Sequence, residues 1–112
     1  MDFKDPSEHK EQVAVVNRLR REGHFVFAVP NGFQADPGIK AKFKREGLTP
    51  GIPDLIVITK NKELLFLEMK DRNQGTLSKS QKEIIPQLEA LGQTVLVGHG
   101  AKDAFAKLSE YL

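Results

Sequence analysis

Three charged residues, Asp54, Glu68 and Lys70, stand at one end of two apolar runs in PGIPDLIVITKNKELLFLEMK, residues 50–70. A charge on a core-facing position is costly unless it is paired or bound to something. Along residues 63–70, Leu64, Phe66, Glu68 and Lys70 share one strand face, and Leu65, Leu67 and Met69 share the other. Asp54 shares a face with Ile56 and Ile58 in the same way. A hairpin turning about Asn61 sets Asp54 directly opposite Glu68. That register needs an odd-length loop, which Lys60-Asn61-Lys62 supplies if Asn61 or Lys62 takes the left-handed conformation. Facing carboxylates repel and raise each other's pKa unless a cation lies between them. Mg²⁺, a hard ion that takes oxygen ligands and keeps waters, is the expected cation, with Mn²⁺ as the alternative. Lys70, two residues beyond Glu68 on the same face, then stands beside any phosphate the cation holds.

Flanking elements must position this pair. In residues 5–23, Asp5 is the expected cap, Pro6 the first helical residue, Glu8 the partner in the capping pattern and Gly23 the stop, giving a helix from Pro6 to Glu22. HFVFAVPNG reads as a strand ending in the turn Pro30-Asn31-Gly32. Residues 33–51 are irregular, with a short helical piece about Ile39–Arg45. Strands follow at Pro53–Thr59 and Glu63–Lys70. SKSQKEIIPQLEALG is a helix with Ser78 and Gln81 in capping-box register, Gly92 as its stop and a bend expected at Pro86. TVLVGHG is a fourth strand and AKDAFAKLSEYL a last helix. The order αβββαβα predicts an α/β fold: a mixed sheet of about four strands flanked on both faces by helices, with Glu63–Lys70 as a central strand covered on both sides.

Composition narrows the function classes. The 112 residues suit one domain, and 39% hydrophobic with 29% charged residues is ordinary for a globular chain. Seventeen basic against fifteen acidic residues leave only +2, so partner chemistry must be read from distribution rather than total charge. Absence of cysteine excludes disulfides, thiolate nucleophiles and zinc-thiolate sites. No apolar run approaches the roughly 20 residues of a membrane span, and residues 1–10 lack a signal-peptide core, so a cytoplasmic protein without membrane partners is expected.

Other residues admit two readings. Glu8 and Gln12, one turn apart, lie on the helix face of Val15, Val16 and Leu19, where Glu8 is either a cap partner or a site carboxylate. Gln81 is either a cap or an active-site amide. Arg18, Arg20 and Arg21 form one basic cluster, and Lys40, Lys42, Lys44 and Arg45 another. Such runs are usually solvated faces, but the second lies in a long loop next to the acidic pair, where function concentrates. His99, between two glycines at a strand end, reads as a surface residue. Phe25, Phe27, Phe33 and Phe43 are more aromatics than the region around them can bury alone.

The ordered set Ser7-Glu8-His9 with Gln12, Pro30-Asn31-Gly32, Gly51-Ile52-Pro53-Asp54-Leu55, Glu68-Met69-Lys70, and Leu77-Ser78 with Gln81 resembles the VRR-Nuc branch of the PD-(D/E)XK nucleases. The resemblance runs from about Ser7 to Gly100 and implies a restriction-endonuclease-like fold. It implies that Asp54, Glu68 and the main-chain carbonyl of Met69 bind Mg²⁺ and that Lys70 positions or activates the water and steadies the phosphate; Glu8 as a further ligand, and Gln81 as an amide orienting the metal or the phosphate, stay alternatives to their capping roles. The implied reaction is hydrolysis of DNA to 5′-phosphate ends, on branched substrates such as four-way junctions or flaps, by a homodimer in a bacterial or phage-infected cell. DNA contacts are expected at Asn31, Lys40, Lys42, Lys44, Arg45 and Lys79. The alternative is an inactive nucleic-acid-binding module of the same fold, or another metal enzyme acting on phosphates. Three mutually costly charges favour the nuclease, since a pure binder has no use for them.

Overall fold

Apolar side chains three and four residues apart close the first helix, α1 (Pro6–Arg21), whose Val15 and Leu19 are fully buried. Gly23, at φ +92°, ends it, with the His24 amide donating to the Leu19 carbonyl at 3.0 Å. The computed structural model describes residues 6–30, 35–73 and 75–112. The remaining elements are β1 (Phe25–Ala28), α2 (Pro37–Arg45), β2 (Leu55–Ile58), β3 (Leu64–Lys70), α3 (Lys79–Ala90), β4 (Thr94–His99) and α4 (Ala101–Leu108). The expected order therefore gains one helix: α2 begins two residues before Ile39, because the Asp36 carboxylate accepts from the Ile39 amide at 3.0 Å and Pro37 opens the first turn. The capping role expected of Asp5 lies outside the described residues. α3 runs on through Pro86.

The sheet order is β1-β2-β3-β4, with antiparallel pairs except for β3 and β4, which run parallel across the α3 crossover. Leu55 pairs with Leu67, the register that sets Asp54 opposite Glu68. The turn beneath it has Lys62 in the left-handed region at φ 71°, and the buried Thr59 hydroxyl accepts from the Asn61 and Glu63 amides.

One sheet face, carrying Val26, Leu55, Val57, Leu65, Leu67 and Met69, packs on Val15 and Leu19 of α1 and on Ala104 and Leu108 of α4. Gly98 allows the close approach of α4, since a Cβ there would lie 2.6 Å from that of Ala104. The opposite face is covered only in part. Ile56, Glu68 and, from α3, Gln81 and Ile85 are buried, whereas Leu64 is 43% and Ile58 40% exposed. β3 is central, as expected, but doubly covered only toward Glu68. Both sheet edges are masked by cations: Arg20 donates to the Val26 carbonyl at 3.1 Å on β1, and Lys107 to the Val97 carbonyl at 2.6 Å on β4.

Candidate active site

The site forms where β2 begins and β3 ends. Pro53 is fully buried, and Gly51, at φ +92°, lies so close to α3 that a Cβ would stand 2.5 Å from the Ser80 main chain. Glycine at this position is what lets the Gly51-Ile52-Pro53 segment seat the first turn of α3 beside Asp54. Asp54 and Glu68 are then interlocked through the main chain. The Asp54 amide donates to Glu68 Oε1 at 3.0 Å, and the Met69 amide donates to Asp54 Oδ2 at 3.3 Å.

Glu68 is 2% exposed. Burial, then the charge of Asp54 and a hydrogen bond with it, push its pKa up to about 7, against the opposing pull of Gln81 and Lys70. Lys70 Nζ stands 3.5 Å from Glu68 Oε2. Gln81 is a capping residue whose side chain also reaches Glu68. Its Oε1 accepts from the Ser78 amide at 2.9 Å while its own amide donates to Ser78 Oγ at 3.2 Å, a complete capping box. With Oε1 so engaged, its side-chain NH₂ is the group available to hydrogen-bond Glu68.

The structure thus brings together Asp54, Glu68, Lys70 and Gln81. Their chemistry suits a hard divalent cation: two adjoining carboxylates, one of them with its pKa raised by burial and by the charge of the other. Among the described residues no three or more His, Cys, Asp or Glu side chains are grouped closely enough to share a metal ion. Glu8 sits half-buried on α1, one turn before Gln12, whose buried Oε1 has no hydrogen-bond partner among the described residues. Glu11 has a structural task, accepting from Arg72 and from the Ala101 amide at the start of α4.

Lys40, Lys42, Lys44 and Arg45 line α2, no residue of which is buried, and Lys79 is exposed at the first position of α3. Asn31 lies outside the described residues. Arg18 stacks over the Phe105 ring at 4.1 Å and Arg20 caps β1, so two arginines of the first cluster serve the fold. His99 is partly exposed, as expected of a surface residue, but it is also engaged by its neighbours. It is the parallel neighbour of Lys70, its amide donates to Asp103 Oδ2 at 2.9 Å, and its Nε2 lies 2.9 Å from the Gly75 carbonyl. No local signal marks it, because its neighbour across the ladder comes from a strand 29 positions earlier.

The VRR-NUC domain model matches residues 7–102. The chain belongs to the VRR-NUC family. Membership places it in a nuclease superfamily, and the site lies inside the matched region. A solved VRR_NUC domain protein superposes with a TM-score of 0.76 at 25% identity, over 98% of this chain and 91% of that one. A second solved structure, a VRR_NUC domain, gives 0.69 at 24% identity, over 94% of this chain and 96% of that one. The restriction-endonuclease-like fold of this VRR-NUC chain, a four-stranded mixed sheet flanked by helices, matches that of these neighbours. No curated protein matches the sequence.

Proposed function

We propose that this VRR-NUC protein is a Mg²⁺-dependent endonuclease that hydrolyses branched DNA, four-way junctions or flaps, to 5′-phosphate ends. The observation that carries this reading is the Asp54–Glu68 pair: a buried carboxylate whose pKa is raised toward neutrality, locked to a second carboxylate, with an ammonium 3.5 Å away. A purely structural pair of this kind would only destabilise the fold. Asp54, Glu68 and the Met69 carbonyl hold the cation, Mg²⁺ or alternatively Mn²⁺. Once bound, the ion supplies Lewis acidity and lowers the pKa of water. Lys70 stabilises negative charge developing on the phosphate, and Gln81 orients the Glu68 carboxylate.

Backbone contacts fall to Lys40, Lys42, Lys44 and Arg45 on α2, to Lys79 on α3, and to Asn31. Support comes from α3, whose first turn carries Lys79 and Lys82 and no acidic residue. That is the reverse of what the helix dipole favours and fits an approaching phosphate.

The working unit in this reading is a homodimer. Phe25 is 66% and Phe27 41% exposed, with Ile58 and Leu64 beside them on the sheet face that carries Glu68. A buried phenylalanine covers roughly 200 Å², so these four side chains leave on the order of 350 Å² of apolar surface. A specific interface takes roughly 800 Å² from each partner, more than half of it non-polar, and such a patch supplies most of that. The masked sheet edges direct association to this face.

Digestion of plasmid, linear duplex and four-way-junction DNA with Mg²⁺, with Mn²⁺ and with chelator tests the reading. Metal-dependent cutting of the junction, 5′-phosphate ends and loss of cutting in Asp54→Asn are expected. Salt-sensitive binding without cutting would instead establish an inactive DNA-binding module.

A further inference from the structure

We propose that His99 is a positioning residue for Lys70, acting through the main chain of Gly75; the proposal rests on the nuclease reading of the same site. Lys70 and His99 are neighbours across the parallel β3–β4 ladder, where the Gly100 amide also donates to the Lys70 carbonyl at 3.1 Å. Beyond Lys70 the chain folds back on itself. The Gly75 amide donates to the Asp71 carbonyl at 3.3 Å, and a Cβ on Gly75 would stand 2.6 Å from both the Lys70 Cβ and the Asp71 nitrogen. Gly75 therefore lies directly against the root of the Lys70 side chain. His99 Nε2 stands 2.9 Å from the Gly75 carbonyl. A carbonyl only accepts, so Nε2 carries the proton.

His99 itself is held from α4. Its amide donates to Asp103 Oδ2 at 2.9 Å, and the Lys107 ammonium lies 3.0 Å from the same oxygen. Helix, imidazole, glycine carbonyl and lysine root form one chain of contacts. It limits where the Lys70 ammonium can sit, 3.5 Å from Glu68. Displacing a charge-stabilising group by about an ångström slows a reaction up to roughly a hundredfold without weakening binding elsewhere.

Two amide substitutions separate this from a packing role. Glutamine carries its NH₂ as far from the backbone as Nε2, whereas asparagine stops one bond short. In junction cleavage at saturating Mg²⁺, His99→Gln should keep kcat within about threefold of the parent, and His99→Asn should lose roughly tenfold or more with KM for DNA unchanged. Gly75→Ala, which pushes on Lys70 directly, should lose as much, and the double variant His99→Asn/Gly75→Ala no more than the worse single one, as for residues acting through one contact. Equal activity of the two amide variants, or a fall in both, overturns the proposal. A readout independent of cutting is the ¹⁵N spectrum of the imidazole at alkaline pH, expected to show the Nε2–H tautomer in the parent and to lose that preference in Gly75→Ala. An Nδ1–H tautomer in the parent overturns the proposal whether or not the protein cuts. Should the parent cut no DNA, the nuclease reading fails by itself, and the spectrum alone decides the clamp.

Discussion

Glu68 concentrates the electrostatic cost of the site. Its folded pKa of about 7 lies above its ordinary value of 4.5, so between those values the native protein retains a proton that the unfolded chain has lost. The group's stabilising contribution is therefore complete below the ordinary value and is lost as pH rises through the folded one. Without metal, stability should fall by on the order of 2 kcal/mol between about pH 5 and about pH 8 relative to Glu68→Gln. Mg²⁺ should restore it mainly at the higher pH, where Glu68 is ionised. Denaturant melts of both proteins in chelator and in Mg²⁺ check this; an unchanged difference between them across the range would refute it. Asp54→Asn keeps an oxygen to accept from the Met69 amide while removing the charge that opposes Glu68. Its metal-free melting temperature should match or exceed the parent's, with cleavage lost, whereas a large fall in melting temperature would make Asp54 a structural residue. On α1 the two glutamates divide the labour. Glu11→Ala removes an acceptor from the start of α4 and should lower the melting temperature by about 5 °C. Glu8→Gln should melt like the parent and, if its charge serves the site, cut more slowly and require more Mg²⁺; cleavage equal to the parent at low Mg²⁺ would restrict Glu8 to capping or packing.

At the scale of elements, the site depends on two chain segments meeting with no side chain between them. Gly51 has a positive φ and also touches the Ser80 main chain, whereas Gly92, after α3, has a positive φ of 83° with nothing within 4 Å of its hypothetical Cβ. Gly92→Ala should cost only the left-handed backbone term, about 1 kcal/mol. Gly51→Ala carries that term and must also push α3 away, drawing Gln81 off Glu68. We expect Gly51→Ala to lower the melting temperature by roughly 10 °C, about twice the effect of Gly92→Ala, and to abolish cleavage. Equal melting temperatures for the two variants would show that the α3 contact contributes nothing. The edge strands illustrate a different use of side chains, since Arg20 and Lys107 occupy carbonyls that would otherwise recruit a strand from another chain.

Across the whole molecule, covered and uncovered sheet faces have different tasks. The face beneath α1 and α4 is a closed core. Its opposite carries buried Glu68 at one end and exposed Phe25, Phe27, Ile58 and Leu64 at the other, so candidate site and apolar patch share a surface. Phe25 and Phe27 pack edge to face at 6.0 Å, which leaves their outer surfaces to a partner. Light scattering at micromolar concentration should give twice the 12.5 kDa chain mass for the parent and the single chain mass for Phe25→Glu, with the far-ultraviolet spectrum unchanged. A parent of 12.5 kDa would remove the homodimer and leave the patch to another partner.

What was legible in the sequence was local. Alternation along residues 54–70 and a three-residue loop determine the hairpin register, and with it the Asp54–Glu68 pair, because strand parity admits no one-residue slip without turning a core face outward. The spacing of Ser78 and Gln81 likewise determines the start of α3, since a capping box closes within one helical turn. It left open whether Gln81 caps or serves the site; only the seating of α3 against Gly51 shows that the capping side chain also reaches Glu68. The pairing of β4 beside β3 was not legible, because a parallel neighbour arrives through a crossover helix with no turn residues to mark its register. That pairing alone brings His99 next to Lys70. Nor does an apolar run show how far a helix covers it: β3 reads as buried on both faces, and the reach of α3 leaves one end of it to solvent.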